Sequence, residues 1–280
     1  LSLFAGTKVE HNNYTKWELQ PSGRLVWSVT ERQTVWAAVT RAVRTPTRVD
    51  HDLRSIVAPV GLANFPLTGT EVFGNPNVRS EVENAYELGY RIQPVKRLAF
   101  DLAAFYNQYE RLVSFRTIGL NTNVNPPLIQ VLTQNEFEGE TYGGEIAAQW
   151  EATSWWRLRP SYTLLQVDLR PMAGSLDTAP TQQEGGSPQQ QFAFRSQMDL
   201  PRHFELDAGV RYVDQLQSIN IPSYIAVDVR LGWRPIKNLE IAIVGQNLVE
   251  ARHAEFQTLN APAQVPEVER SVYGKVTWRF

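Results

Sequence analysis

The chain has no cysteine, so the side chains that could do chemistry at neutral pH are its histidines, hydroxyls, carboxylates and basic groups. The four histidines are His11, His51, His203 and His253. A hydrolytic site would need a serine nucleophile and a histidine base lined up at one end of the fold. Strand spacing places no serine or carboxylate beside any of the four as such a pair, so neither catalysis nor a cofactor is expected. His11 and His253 could share a metal between loops, but surface imidazoles are usually only solvated, and that reading is favoured.

The charged residues are more informative, because they occur at alternate positions. Glu205, Asp207 and Arg211 alternate with Phe204, Leu206, Ala208, Val210 and Tyr212. Asp228 and Arg230 alternate with Ile225, Val227, Val229, Leu231 and Trp233. A period of two is the signature of a strand with one apolar and one polar face. The same phasing puts Glu18, Arg24, Arg41, Glu87, Arg91, Glu145, Arg157 and Arg159 on the polar face. Mixed charges on neighbouring strands can pair across the ladder or guide a ligand, and pairing is the favoured reading. The residues singled out as ligand contacts are Arg41, Arg44, Arg211, Asp228 and Arg230.

The elements that must position these residues are about twelve strands, near 1–11, 15–28, 34–45, 81–93, 98–112, 139–151, 156–169, 190–200, 203–215, 223–234, 239–249 and 271–280. Their connections alternate in length: every second one is short, and long ones fall at about 46–80, 113–138, 170–189 and 250–270. An up-and-down transmembrane barrel has this asymmetry of tight periplasmic turns and extended outer loops. Of the eight Trp, all but Trp17 lie beside a short turn or near residue 280, as an interfacial girdle requires. Trp27, Trp150, Trp156, Trp233 and Trp278 also fall on the apolar face. Tyr14, Trp17, Tyr109, Tyr212 and Tyr224 are assigned to a second, outer girdle.

Composition agrees. A net charge of −2, from 27 Lys and Arg against 29 Asp and Glu, excludes an electrostatic footprint for nucleic acid. The longest apolar run is five residues, Val35 to Val39, far below the roughly 20 of a spanning helix. The chain starts at Leu1 and shows no signal sequence, which suggests a piece of a longer protein.

Several segments carry a family resemblance. The stretch Leu25–Arg48, running into Arg44-Thr45-Pro46, resembles the mid-barrel hairpin of TonB-dependent receptors. Tyr86-Glu-Leu-Gly-Tyr90, Phe105-Tyr-Asn107, Tyr142-Gly-Gly-Glu145 and Gly245-Gln-Asn-Leu248 resemble the strands that follow in that family's order. The last ten residues, with Val272, Gly274, Val276, Trp278 and Phe280 on one face, resemble the strand by which outer-membrane proteins are recognised for assembly. Trp278 and Phe280 are its assembly-signal residues.

The resemblance implies an all-β, transmembrane antiparallel up-and-down barrel. Residues 1–280 would be the C-terminal portion of a 22-stranded barrel in a Gram-negative outer membrane, with the plug domain absent from this chain. It implies uptake of a scarce nutrient such as an iron–siderophore complex or cobalamin. The implied partners are outer-membrane lipid, the barrel-assembly machinery, a small nutrient ligand, and the TonB complex acting through the missing N-terminal plug. Two alternatives remain: a complete twelve-stranded passive channel or barrel enzyme, and a soluble β-barrel, against which the Trp girdle and loop asymmetry argue. If the receptor reading holds, Thr7–Glu10 and Val276–Arg279 should form no ladder with each other.

Overall fold

A strand with one apolar face can satisfy its backbone only beside another strand, and here each segment pairs with the next. The computed structural model describes residues 1–57, 69–125, 127–175, 184–257 and 265–280. In chain order the elements are β1 (Ser2–Asn12), β2 (Lys16–Thr30), β3 (Gln33–Arg44), α1 (Arg48–Asp52), β4 (Arg54–Val57), β5 (Gly69–Phe73), β6 (Glu81–Val95), β7 (Leu98–Asn121) and β8 (Leu128–Glu151). They continue with β9 (Trp156–Pro171), β10 (Gln190–Leu200), β11 (Phe204–Val213), β12 (Tyr224–Ile236), β13 (Leu239–Gln246), β14 (Arg252–Ala254), β15 (Glu267–Glu269) and β16 (Ser271–Trp278).

The main path runs β1-β2-β3-β6-β7-β8-β9-β10-β11-β12-β13-β16, all antiparallel neighbours. These are the twelve strands expected from the alternation. The short turns β2–β3, β6–β7, β8–β9, β10–β11 and β12–β13 all lie at one end of the sheet, as the length asymmetry predicts. At the β10–β11 turn Arg202 and His203 both take positive φ, 61° and 63°, the left-handed pair that fits the twist of a tight hairpin.

Register fixes the two faces. Leu206, Ala208, Val210 and Tyr212 stand opposite Leu231, Val229, Val227 and Ile225, while Glu205, Asp207 and Arg211 stand opposite Gly232, Arg230 and Ala226. Followed across the sheet, the apolar face carries two rows of aromatic rings on direct partners. These are Tyr86–Tyr106–Tyr142 and Tyr162–Phe192–Tyr212. At the short-turn end it carries Trp27, Trp150, Trp156, Trp233 and Trp278, with Phe204 stacked on Trp233 at 5.8 Å. The Trp156 indole N–H donates to Ser196 Oγ at 2.9 Å, so its polar atom is satisfied on this face. From Phe204 to Tyr212 is eight residues. At ~3.3 Å per residue and a tilt of about 40°, that is about 20 Å of height, close to the roughly 25 Å apolar band of outer-membrane barrels.

Two tyrosines assigned to the outer girdle belong elsewhere. Tyr109 pairs in register with Gly139 and Glu83, and its hydroxyl donates to Glu83 Oε1 at 3.0 Å. Tyr224 is 7% exposed and stands opposite Val213. Both lie on the charged face. Their aromatic type fits either face; their parity, set by the pairing register, decides.

Among the described residues β1 and β16 each pair on one side only, and no ladder joins Thr7–Glu10 to Val276–Arg279. The sheet is open, so the closed twelve-stranded alternative is not the arrangement adopted.

The expected long loops differ most from expectation. The 113–138 loop is largely strand, because β7 and β8 continue to Asn121 and from Leu128. The 46–80 loop holds α1, β4 and β5, and β5 adds to β8 in parallel from Gly69↔Leu128 to Phe73↔Leu132. Parts of the expected loops at 58–68, 176–183 and 258–264 lie outside the described residues.

Candidate functional site

The charged face is built from the positions opposite in parity to the lipid-type residues. Every residue phased onto it from sequence lies there in register except Arg41. Arg41 pairs with Asn84, between Val39↔Tyr86 and Val43↔Val82, which is apolar-face parity. Its guanidinium donates to the Leu19 carbonyl oxygen. The position is three residues from the end of β3, beyond the tyrosine row, where a charge need not meet hydrocarbon.

Arg230 is the centre of the largest ion-pair group. Its Nη1 lies 3.0 Å from Glu205 and 2.9 Å from Asp207, and its Nη2 bonds Glu240. Arg234 bridges the same two glutamates, at 3.0 Å to Glu205 and 3.4 Å to Glu240. All five groups arise from adjacent strands β11, β12 and β13, so the period-two alternation and the register together create the cluster. Replacing Arg230 with Met should cost about 2–4 kcal/mol. Breaking a buried pair costs about 3–5, and partial exposure reduces that. Urea unfolding of the full-length protein would show the loss, and adding Glu240→Gln should recover part of it. An unchanged midpoint would mean that the cluster is solvated and contributes little.

Arg211 and Asp228 are engaged as well. Arg211 Nη2 donates to Glu255 Oε1 at 2.8 Å and its guanidinium lies 5.6 Å from the Tyr224 ring centre. Asp228 Oδ1 accepts from the Asn247 N–H at 2.9 Å, where Asn247 takes a positive φ of 52°. Arg44, on the charged-face side of β3, reaches both Glu81 and Asp50, the latter at 3.2 Å. Asp50 closes a capping box with Thr47 at the start of α1. Burial pushes the Asp50 carboxyl up, but the Thr47 N–H and hydroxyl and Arg44 outweigh it and hold it below the usual range. All five candidate contacts are thus tied into wall or loop structure, and three of them, Arg44, Arg211 and Arg230, are in ion pairs, which favours the pairing reading of these charges.

The histidines divide in two. His11 rests edge-on against Trp17 at 4.9 Å, and His51 lies beside Asp52 and 4.9 Å from Tyr14. His253 is not solvated: it is 6% exposed, stacked on Tyr224 at 4.1 Å, with Nε2 3.0 Å from Glu255. Burial pushes the Glu255 carboxyl up, but His253, Arg211 and Tyr224 outweigh it and hold it below the usual range. Tyr224, His253, Glu255 and Arg211 therefore fasten the β14 segment to the charged face. Spacing alone could not reveal this, because 42 residues separate Arg211 from His253. Among the described residues no group of three metal-ligating side chains occurs.

A second unpredicted cluster stabilises the outer module. Glu71 on β5 is buried and accepts from Gln130 at 2.9 Å, from Arg54 at 3.1 Å and from Asn121 at 3.4 Å. Asn75 donates to the Thr133 carbonyl oxygen at 3.0 Å. These bonds hold β4, β5 and the outer ends of β7 and β8 as one unit above the tyrosine row.

Comparison with known proteins matches this architecture. The family described as "TonB dependent receptor-like, beta-barrel" matches residues 1–248. An iron-regulated outer membrane virulence protein of Vibrio cholerae is 25% identical over 224 residues, covering 77% of this chain and 30% of that protein. Among solved structures, the siderophore receptor PirA of Acinetobacter baumannii superposes with a TM-score of 0.76 at 13% identity, over 99% of this chain and 43% of that one. A variant of the ferric enterobactin receptor PfeA of Pseudomonas aeruginosa, in complex with enterobactin, gives 0.74 at 15% identity, over 99% and 43%. The chain therefore spans less than half the length of the relatives it matches.

Proposed function

Because this chain belongs to the TonB-dependent receptor β-barrel family, we propose that it is the C-terminal barrel portion of an outer-membrane receptor that takes up an iron–siderophore complex. The observation that carries the reading is the open sheet with a bilayer-high apolar face and a paired, charged opposite face. In lipid every unpaired edge N–H and C=O costs several kcal/mol, so β1 and β16 need further strands beside them. A 22-stranded barrel with this chain as its last twelve strands supplies them. Iron as cargo is supported by the names of the relatives: siderophore receptors and an iron-regulated outer-membrane protein.

In this reading the plug domain and the TonB contact lie in other parts of the protein, lipid covers the apolar face, and the barrel-assembly machinery recognises β16 through Trp278 and Phe280. The outer module around Glu71 and the β14 segment held by His253 are where a ligand would first be met. The relatives are transport receptors, and no enzymatic role is proposed.

Deleting the full-length gene in its own host and measuring uptake of radiolabelled iron–siderophore complexes tests the proposal. Saturable uptake of at least one complex should be lost on deletion, and equally lost when TonB is removed. Uptake that survives loss of TonB and rises linearly with concentration would favour a passive channel.

A further inference from the structure

One arrangement on the charged face is left uncompensated by the ion-pair network. Arg159 on β9 and Arg195 on β10 stand directly opposite each other. Like charges opposite in a ladder repel, and elsewhere on this face Arg91, Arg157 and Arg230 have carboxylates. Arg91 lies 2.6 Å from Asp101, Arg157 lies 2.7 Å from Asp199, and Arg230 has three. Among the described residues, Arg159 has only an amide, the Gln149 oxygen at 3.2 Å in its hydrogen-bonding orientation, and Arg195 has no ion pair.

The next residue on the same cross-strand line is Gly209, followed by Asp228. One oxygen of Asp228, Oδ1, accepts from the Asn247 N–H. A Cβ at Gly209 would meet nothing within 4 Å, so the missing side chain leaves open space beside Arg195. Two concavities meet there. One, of about 340 Å³, is lined by Arg159, Ser161, Arg195, Arg211 and Asp228, and the other, of about 250 Å³, by Arg195, Gln197, Asp207 and Asp228. Arg211 is held by Glu255 at the outer end.

We propose that Arg159 and Arg195 form an oxyanion site that takes a carboxylate between their guanidinium groups, with Ser161 and Gln197 as flanking donors and Gly209 as the floor. Two planar guanidinium forks suit a carboxylate's two oxygens, and each N–H···O⁻ bond is of the strong, charge-assisted kind. The carboxylate belongs either to an acidic side chain of another segment of the same protein seated against this face or to a soluble ligand. The proposal rests on the reading of the charged face as the barrel interior.

The test uses the full-length protein in detergent with citrate as the soluble probe. The forms compared are wild type, Arg159→Gln/Arg195→Gln, Arg195→Glu and Gly209→Val, the last filling the floor without changing charge. Heat-modifiable gel mobility first establishes that each is a folded barrel; its absence in wild type would sink the receptor reading rather than this site. If the carboxylate is soluble, citrate binds wild type saturably in calorimetry, and both the double variant and Gly209→Val weaken it about tenfold or more. If the carboxylate is the protein's own, citrate does not bind wild type, and Arg195→Glu raises conductance in planar bilayers severalfold by expelling it. Equal citrate affinity in wild type and the double variant overturns the proposal. So does the absence of citrate binding together with an unchanged conductance in Arg195→Glu.

Discussion

Arginine in place of Val229 is expected to lower the stability of the full-length protein in lipid vesicles by about 2–4 kcal/mol. Val229 stands midway along the apolar face of β12, four residues from both Ile225 and Trp233, with Ala208 and Gly245 as its cross-strand partners. None of these offers a counter-charge, and the site is too far from either aromatic row for the side chain to snorkel without strain. Arginine in place of Gln197, on the opposite face beside Asp207, should change stability by under about 0.5 kcal/mol. Urea unfolding of both variants checks the pair. The reverse ranking would mean that the two faces have been assigned the wrong way round.

The yield of folded protein in the outer membrane is expected to fall by roughly tenfold, a factor worth ~1.4 kcal/mol, when Phe280 is replaced by Asp in the full-length protein. In β16, Val272, Gly274, Val276 and Trp278 share the face of Ile241, Ile243 and Gly245, so the apolar stripe runs to the end of the strand. Phe280 continues that parity and is fully exposed. A charge there would leave the β13–β16 ladder intact and remove only the apolar end of the stripe. Fractionated membranes and heat-modifiable mobility measure the effect. A wild-type yield for Phe280→Asp would show that the last aromatic is dispensable and leave Trp278 as the residue to examine.

The apolar stripe is also where the sequence is easiest to read. Ile225 to Trp233, Phe204 to Tyr212 and Val272 to Trp278 alternate without a break, because hydrocarbon accepts no charge on one face and a strand's parity is strictly local. The five short turns follow from the same cause: strands must cross a fixed thickness and return. Arg41 broke the pattern because it lies beyond the tyrosine row, where lipid no longer dictates side-chain type. Tyr109 and Tyr224 broke it because an aromatic with a hydroxyl satisfies either face.

The alternation of residues therefore determined the fold class, the twelve strands and nearly every residue's face, each being a property of a single segment in contact with lipid. Only the tertiary structure decided which charges meet. Arg230 finds Glu205, Asp207 and Glu240, while Arg159 meets Arg195, because cross-strand partners depend on turn lengths and register rather than on either strand's own sequence. It also decided that β5 lies parallel to β8 and that His253 closes on Tyr224 and Glu255. Those segments lie outside the bilayer, in water, where no membrane face imposes a period and the pairing is set by contacts between residues distant in the chain.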